Sequence, residues 1–326
     1  MTKTLRLPTF PHVLSMAAIA LTTWVSVPAK AEPPAVVVSR FEEALDLQAQ
    51  RLARIPIDER NEACDSRYAR IWADGRLRID WFYGYLHSET ADVVSDRLVR
   101  FTTAHVLMKP CSDGVMACGF TKVADLTDDD GPVVLEKTLA DGRAVEIRLW
   151  NSASKDWNSR NTVGVGHVFV ANKVQEEKTN KVWAAFLASF REAPIVIYDG
   201  HSEFGKGPGF APMSWIDYAY NYLANGPKQK KVMKALKKPG KQPEVFMIAA
   251  CESKKYYLEK YRKVLPQTAI VATDKAQEFA VGESTVYGFV DSIMTGRCEA
   301  GIEESLIPST GVDAGADIYG FEMPGL

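Results

Sequence analysis

Cys251 and His201 are the two residues of this 326-residue chain whose types and surroundings best suit covalent chemistry. A cysteine thiolate attacks carbonyl carbon, and an imidazole moves protons near neutral pH. Each stands where an apolar run stops: His201 after Ile195-Val196-Ile197-Tyr198-Asp199-Gly200, Cys251 after Val245-Phe246-Met247-Ile248-Ala249-Ala250. Such runs have the length and composition of buried parallel strands, and an open parallel sheet binds its ligands beyond the carboxyl ends of its strands. Adjacent strands lie about 4.8 Å apart, so residues just past two neighbouring ends can face one substrate bond. A Cys-His nucleophilic enzyme fits that arrangement.

The elements needed to position the pair follow from periodicity. From residue 143 onward strands and helices alternate: strands Val145–Trp150 and Gly166–Ala171, a helix over Glu176–Arg191, the His strand, a helix over Ser214–Leu223, the Cys strand. A helix over Ser253–Lys263, a strand Thr268–Thr273 and a helix over Ser284–Thr295 complete the series. Alternation of this kind predicts an α/β fold, a mostly parallel sheet covered by helices on both faces. Ahead of it, residues 38–55 are helical in pattern, and residues 70–150 read as strands and turns. The clearest hairpin joins Val133–Leu139 to Ala144–Trp150 through Ala140-Asp141-Gly142-Arg143. A β-rich accessory region over 32–142 followed by a catalytic domain over 143–326 is the expected division, with one large domain as the alternative.

The compartment is legible at the N-terminus, where Lys3 and Arg6 precede an apolar stretch from Val13 to Val27 that closes on Ala29-Lys30-Ala31. Those features predict a signal peptide over residues 1–31 and an exported, periplasmic or extracellular protein beginning at Glu32. Loss of that segment removes three of 39 basic residues and none of the 41 acidic ones, leaving a net charge of −5. Nothing in that balance favours a nucleic-acid partner, and no later apolar run reaches the roughly 20 residues of a membrane span. An oxidising compartment permits disulfides among Cys64, Cys111, Cys118, Cys251 and Cys298. Cys111 and Cys118 flank the turn signal Ser112-Asp113-Gly114 between expected strands Val99–Met108 and Gly119–Val123, which predicts a stapled hairpin. Cys64 and Cys298 remain as a second pair by arithmetic alone, and Cys251 is the thiol left over.

A hydrophobic strand ending in His, followed some 50 residues later by one ending in Ala-Cys, resembles the caspase, legumain and gingipain superfamily of cysteine peptidases. Ala250-Cys251-Glu252-Ser253 is similar to the Ala-Cys-Glu-Ser around the legumain nucleophile. The resemblance spans residues 143–296 and implies a peptide or protein substrate and no cofactor. It implies Cys251 as nucleophile, favoured as thiolate by the N-terminus of the helix that follows, and His201 as the acid and base. The N–H groups of Cys251 and Ser202 would form the oxyanion hole, although Ser202 stands where the family usually has Gly. Asn151 matches in position an Asn that legumain-like enzymes carry after the first core strand.

The same stretches of chain admit other chemistry. Gly200-His201-Ser202 begins like a Gly-x-Ser-x-Gly elbow with Ser202 as nucleophile, but Phe204 stands where the last Gly belongs and no His follows His201. The glycines Gly200, Gly205, Gly207 and Gly209 lack the Gly-Lys-Ser/Thr ending of a phosphate loop and suit a substrate-binding loop or a plain surface loop. Seven lysines between Lys228 and Lys241 suit a solvated helix or a contact with an anionic polymer. Asp128-Asp129-Asp130 reads as a loop or a weak calcium contact, His87 and His105 have no partner at ligand spacing, and His167, at the mouth of the strand Gly166–Ala171, approaches the site only if that strand neighbours the His201 strand, so no metal site is predicted. A non-enzymatic exported binding protein, using Trp215–Tyr222 as its contact surface, is the alternative of a different class.

Overall fold

The strand ends that carry His201 and Cys251 lie in the middle of one mixed sheet. The computed structural model describes residues 34–85, 96–124, 131–153, 162–165, 168–171, 173–202, 205, 207–211, 227–275, 279–309, 312 and 314–322. The signal peptide expected over 1–31, the helix expected over Ser214–Leu223, the aromatic segment Trp215–Tyr222, Asp128–Asp130, His87 and His167 lie outside the described residues.

Eight strands form the sheet: β1 (Arg76–Tyr83), β2 (Thr121–Ala124), β3 (Val133–Thr138), β4 (Ala144–Asn151), β7 (Ile195–Asp199), β8 (Val245–Ala249), β9 (Ala269–Thr273) and β10 (Ala316–Tyr319). Their order is β10-β9-β8-β7-β1-β4-β3-β2. The five central strands run parallel, while β10 at one edge and the β3–β4 and β2–β3 pairs at the other are antiparallel. A separate two-stranded ribbon pairs β5 (Thr162–Val165) with β6 (Val168–Ala171), so the strand expected near Gly166–Ala171 is not part of the main sheet.

Both faces are covered, which is why β7, β8 and β9 are apolar at nearly every position. On one face lie α1 (Pro34–Leu52), α2 (Glu62–Ile71), α3 (Asp96–Met108), α7 (Phe279–Thr295) and α8 (Glu299–Leu306), packed through Leu45, Tyr68, Leu107 and Phe289 onto Ile79, Trp81, Ile197 and Met247. On the other lie α4 (Lys173–Glu192), α5 (Pro227–Leu236) and a π-helical turn Lys254–Leu258 that runs into α6 (Glu259–Arg262), packed through Phe186, Phe190, Val232 and Tyr261 onto Phe82, Val196 and Phe246. Each buried Phe or Leu here contributes about 2–3 kcal/mol through area removed from water.

The N-terminal part differs from expectation in two ways. Residues 33–326 cluster as one unit, and β1, from the segment expected to form an accessory region, sits at the centre of the sheet between β4 and β7. The pattern change at residue 143 is therefore a turn within one sheet, and residues 33–142 supply three helices as well as three strands. Second, Val99–Met108 is helical, not a strand: Phe101, His105 and Met108 are exposed at helical spacing, whereas Val99, Thr103, Val106 and Leu107 are buried. The β-branched residues misled, because a buried helix face can carry them as well as a strand can.

Both expected cystine pairs have their sulfurs at bonding distance. Cys111 and Cys118, with Cα atoms 5.1 Å apart, staple the loop between α3 and β2 instead of a hairpin. Asp291 of α7 holds that loop by accepting from the N–H groups of Met116 (2.6 Å) and Ala117 (3.0 Å), and burial pushes its carboxyl up from the usual range. Cys64 on α2 is joined to Cys298, the residue preceding α8, across 234 positions of sequence.

Candidate functional site

Register decides which side chains meet at the carboxyl end of the sheet. Asp199 of β7 pairs with Ala249 of β8, and the Gly200 N–H continues the ladder to the Ala249 carbonyl at 3.0 Å. His201 and Cys251 follow at equivalent positions, two residues past the last paired positions of neighbouring strands. Both are half-buried, and Cys251 is the one of the five cysteines outside the two disulfides.

Two tyrosine hydroxyls fix the backbone around His201. The Tyr198 hydroxyl donates to the His201 carbonyl at 2.8 Å and accepts from the Gly209 N–H at 2.9 Å. The Tyr257 hydroxyl, from the helical turn just after Cys251, donates to the Ser202 carbonyl and accepts from the Gly207 N–H at 3.1 Å. The segment that follows the thiol thus holds the loop that carries the imidazole. Below it Phe210 packs edge-on against Tyr198, with ring centroids 5.5 Å apart, and against Phe186 at 5.2 Å. Gly205 has φ +81°, a conformation glycine adopts without steric cost, and a Cβ there would stand 3.0 Å from the Tyr256 ring.

The turn after β8 is pinned from the opposite side. Ser253 is fully buried; its hydroxyl donates to the Ile248 carbonyl at 2.7 Å and accepts from the Thr273 N–H at 2.8 Å. The Thr273 hydroxyl in turn donates to the Ala250 carbonyl. Glu252 takes φ +51°, a left-handed conformation uncommon for a residue with a side chain, directly beside Cys251. Its N–H donates to the Lys275 carbonyl at 3.1 Å, and a hydrogen bond from Lys255 at 2.8 Å holds its carboxyl below the usual range. Ser253→Ala leaves the Thr273 N–H buried without this acceptor and is expected to cost about 1–3 kcal/mol, read as a lower midpoint in urea unfolding.

The remaining expected residues are placed as follows. Ser202 is nearly buried, with its carbonyl turned to Tyr257 and to the Gly205 N–H at 2.9 Å. Gly200 packs against the end of β1, where an added Cβ would meet the Gly84 backbone at 3.0 Å. Asn151 ends β4, and β1 lies between that strand and β7, so Asn151 is not beside the pair. Its amide closes its own turn, donating to the Ala153 carbonyl at 2.9 Å and accepting from the Ala153 N–H at 3.1 Å. His105 lies on the exposed side of α3, 3.4 Å from Glu42. Among the described residues the sole close group of three possible metal ligands is Cys64, Cys298 and Glu322, and two of these are bonded to each other.

Comparison of the chain with protein-family models, with curated proteins and with solved structures gives no match in any of the three.

Sequence reading missed Tyr198, Tyr257, Ser253 and Thr273 as parts of the site. A hydroxyl inside or just after an apolar strand was the available signal, since a buried hydroxyl requires a partner. Its partners are 3 to 55 residues away in sequence and cannot be named without the fold.

Proposed function

We propose that this chain is an exported cysteine peptidase-like hydrolase that cleaves peptide bonds with Cys251 as nucleophile and His201 as acid and base. The observation that carries the reading is the equivalent placement of the Cys251 thiol and the His201 imidazole past the ends of two adjacent, central parallel strands. The caspase-legumain likeness of the two strand-end motifs and of Ala250-Cys251-Glu252-Ser253 is part of the same proposal. The absence, among the described residues, of any helix long and apolar enough to cross a membrane is compatible with export, as are the two cystines.

In this reading the Cys251 thiolate attacks the scissile carbonyl carbon, and the carbonyl electron pair moves to oxygen. The oxyanion is stabilised by the N–H groups of Ser202 and Cys251. Collapse re-forms the carbonyl as a thioester and expels the amine, which takes a proton from His201. Water, deprotonated by His201, then attacks the thioester and releases the carboxylic acid and the thiol. No cofactor enters the scheme.

The test is alkylation of the purified protein by iodoacetamide across pH, with the labelled residue mapped by mass spectrometry. Fast labelling of Cys251 below the ordinary thiol pKa of about 8.5, slowed at least about tenfold by His201→Ala, is the expected result. Slow labelling that ignores His201 overturns the dyad.

A further inference from the structure

One stretch of the chain concentrates positive charge. Residues 227–241 hold seven lysines and no Asp, Glu or aromatic residue. Within α5, Gln229, Val232 and Leu236 are buried while Lys230, Lys231 and Lys234 are exposed. At 100° per residue those three lysines share the side opposite the buried stripe. Lys237, Lys238 and Lys241 continue the row past the helix end, all exposed.

This row is held in place. Arg191, at the end of α4, donates to the carbonyls of Leu236 (3.3 Å), Lys238 (2.5 Å) and Lys241 (2.7 Å), so the end of α5 and the turn after it are tied to the body of the protein. Lys260 fastens the other end through the Gln229 side chain at 3.0 Å. Among the described residues no carboxylate pairs with Lys234, Lys237, Lys238 or Lys241. The fold therefore fixes a run of like charges that repel one another, an arrangement that an external polyanion relieves. α5 connects the His201 loop to the start of β8, so it runs against the strand direction. Its end, tied to Arg191 just before β7, lies at the amino ends of the strands, whereas Cys251 stands past their carboxyl ends, so a partner bound there leaves Cys251 open.

The chemistry of the row narrows the partner. It is a line, not a plane: Lys230, Lys231 and Lys234 run along one side of α5, and Lys237, Lys238 and Lys241 continue past its end. Charges set along a line match a chain-like polyanion better than the extended surface of a bilayer. The row itself has no aromatic side chain, and the Trp183 ring beside Lys231, at 5.9 Å, is buried, which argues against stacking of single-stranded nucleic acid. Lysine ammonium groups are mobile point charges without the bidentate fork of arginine, and they suit charges spaced along a flexible chain. We propose that the lysine row of α5 and the following turn binds a linear acidic polysaccharide. This inference does not depend on the peptidase reading.

Fluorescently labelled polygalacturonate, followed by anisotropy with the purified protein, is the probe. Saturable binding at about 50 mM salt should weaken at least about tenfold by about 200 mM, as expected when several ion contacts are screened. The triple variant Lys234→Gln, Lys237→Gln, Lys238→Gln should bind about tenfold more weakly or worse, with an unchanged thermal midpoint. An equal-charge control, Lys122→Gln, Lys173→Gln, Lys263→Gln, should bind within about twofold of the parent. Three results overturn the proposal: no saturable binding by the parent, equal losses in the two triple variants, or tighter binding of phosphatidylglycerol vesicles or single-stranded DNA through the same lysines.

Discussion

Gly200→Ala is expected to slow alkylation of Cys251 at neutral pH by about 10²-fold, as far as His201→Ala does or further, while the protein still folds. The new Cβ would stand 3.0 Å from both the N and the Cα of Gly84 and 3.0 Å from the Tyr198 hydroxyl. Neither backbone atom can yield without displacing the end of β1, and the Tyr198 hydroxyl cannot retreat without releasing its hydrogen bonds to His201 and Gly209. The strain therefore falls on the one turn that aims the imidazole. Overpacking of this kind costs about 1–3 kcal/mol, which lowers the unfolding midpoint without abolishing the fold. Stopped-flow alkylation beside urea unfolding separates the two effects. An unfolding shift in that range with undiminished Cys251 reactivity would show that the Gly84–Gly200 contact does not position His201.

Removal of the Cys64–Cys298 bridge is expected to have the largest effect on stability. It closes a loop of 234 positions, for which the chain-entropy relation gives about 5 kcal/mol, a large share of the roughly 5–15 kcal/mol that holds a typical domain together. The bridge also fixes a polar joint. Arg297, fully buried beside Cys298, donates to the carbonyls of Ile55 (2.9 Å) and Leu52 (3.3 Å), and the Tyr68 hydroxyl donates to the Arg297 carbonyl at 2.7 Å. Glu322 accepts from the Glu299 N–H at 2.9 Å at the start of α8 and from Asn61 at 2.6 Å at the start of α2. Without the cross-link these groups must be brought together from opposite ends of the chain at full entropic cost. The double variant Cys64→Ala, Cys298→Ala should lose about 5 kcal/mol in urea unfolding, and it should respond to dithiothreitol less than the parent does. A loss under about 1 kcal/mol would mean that the unfolded chain is already compact around this joint.

The residues told unequal parts of the story because they carry unequal kinds of information. Apolar runs such as Ile195–Tyr198 and Val245–Ala249 are legible because burial on both faces of a strand excludes nearly every alternative residue. The helix over Lys173–Glu192 is legible from its apolar spacing, and the hairpin of β3 and β4 from the turn signal Asp141-Gly142 between two strand-like runs. α3 was not, since Val99, Thr102, Thr103 and Val106 are good strand residues and their helical spacing shows only once the exposed stripe is known. Asn151 stands one strand removed from β7 for a topological reason. In sequence it ends the strand nearest before the His strand among those of the main sheet, but in space β1 occupies the place beside β7.

By itself, then, the sequence determined the α/β class, the identity of the odd thiol and the two residues that stand at strand ends, because each depends on local pattern or on counting. Tertiary structure decided the rest: that β1 from the N-terminal segment lies at the centre of the sheet, that Tyr198 and Tyr257 hold the His201 loop, and that Cys64 reaches Cys298. Those outcomes depend on which strands become neighbours and which buried hydroxyls find acceptors, and both are fixed by long-range packing that no short stretch of chain encodes.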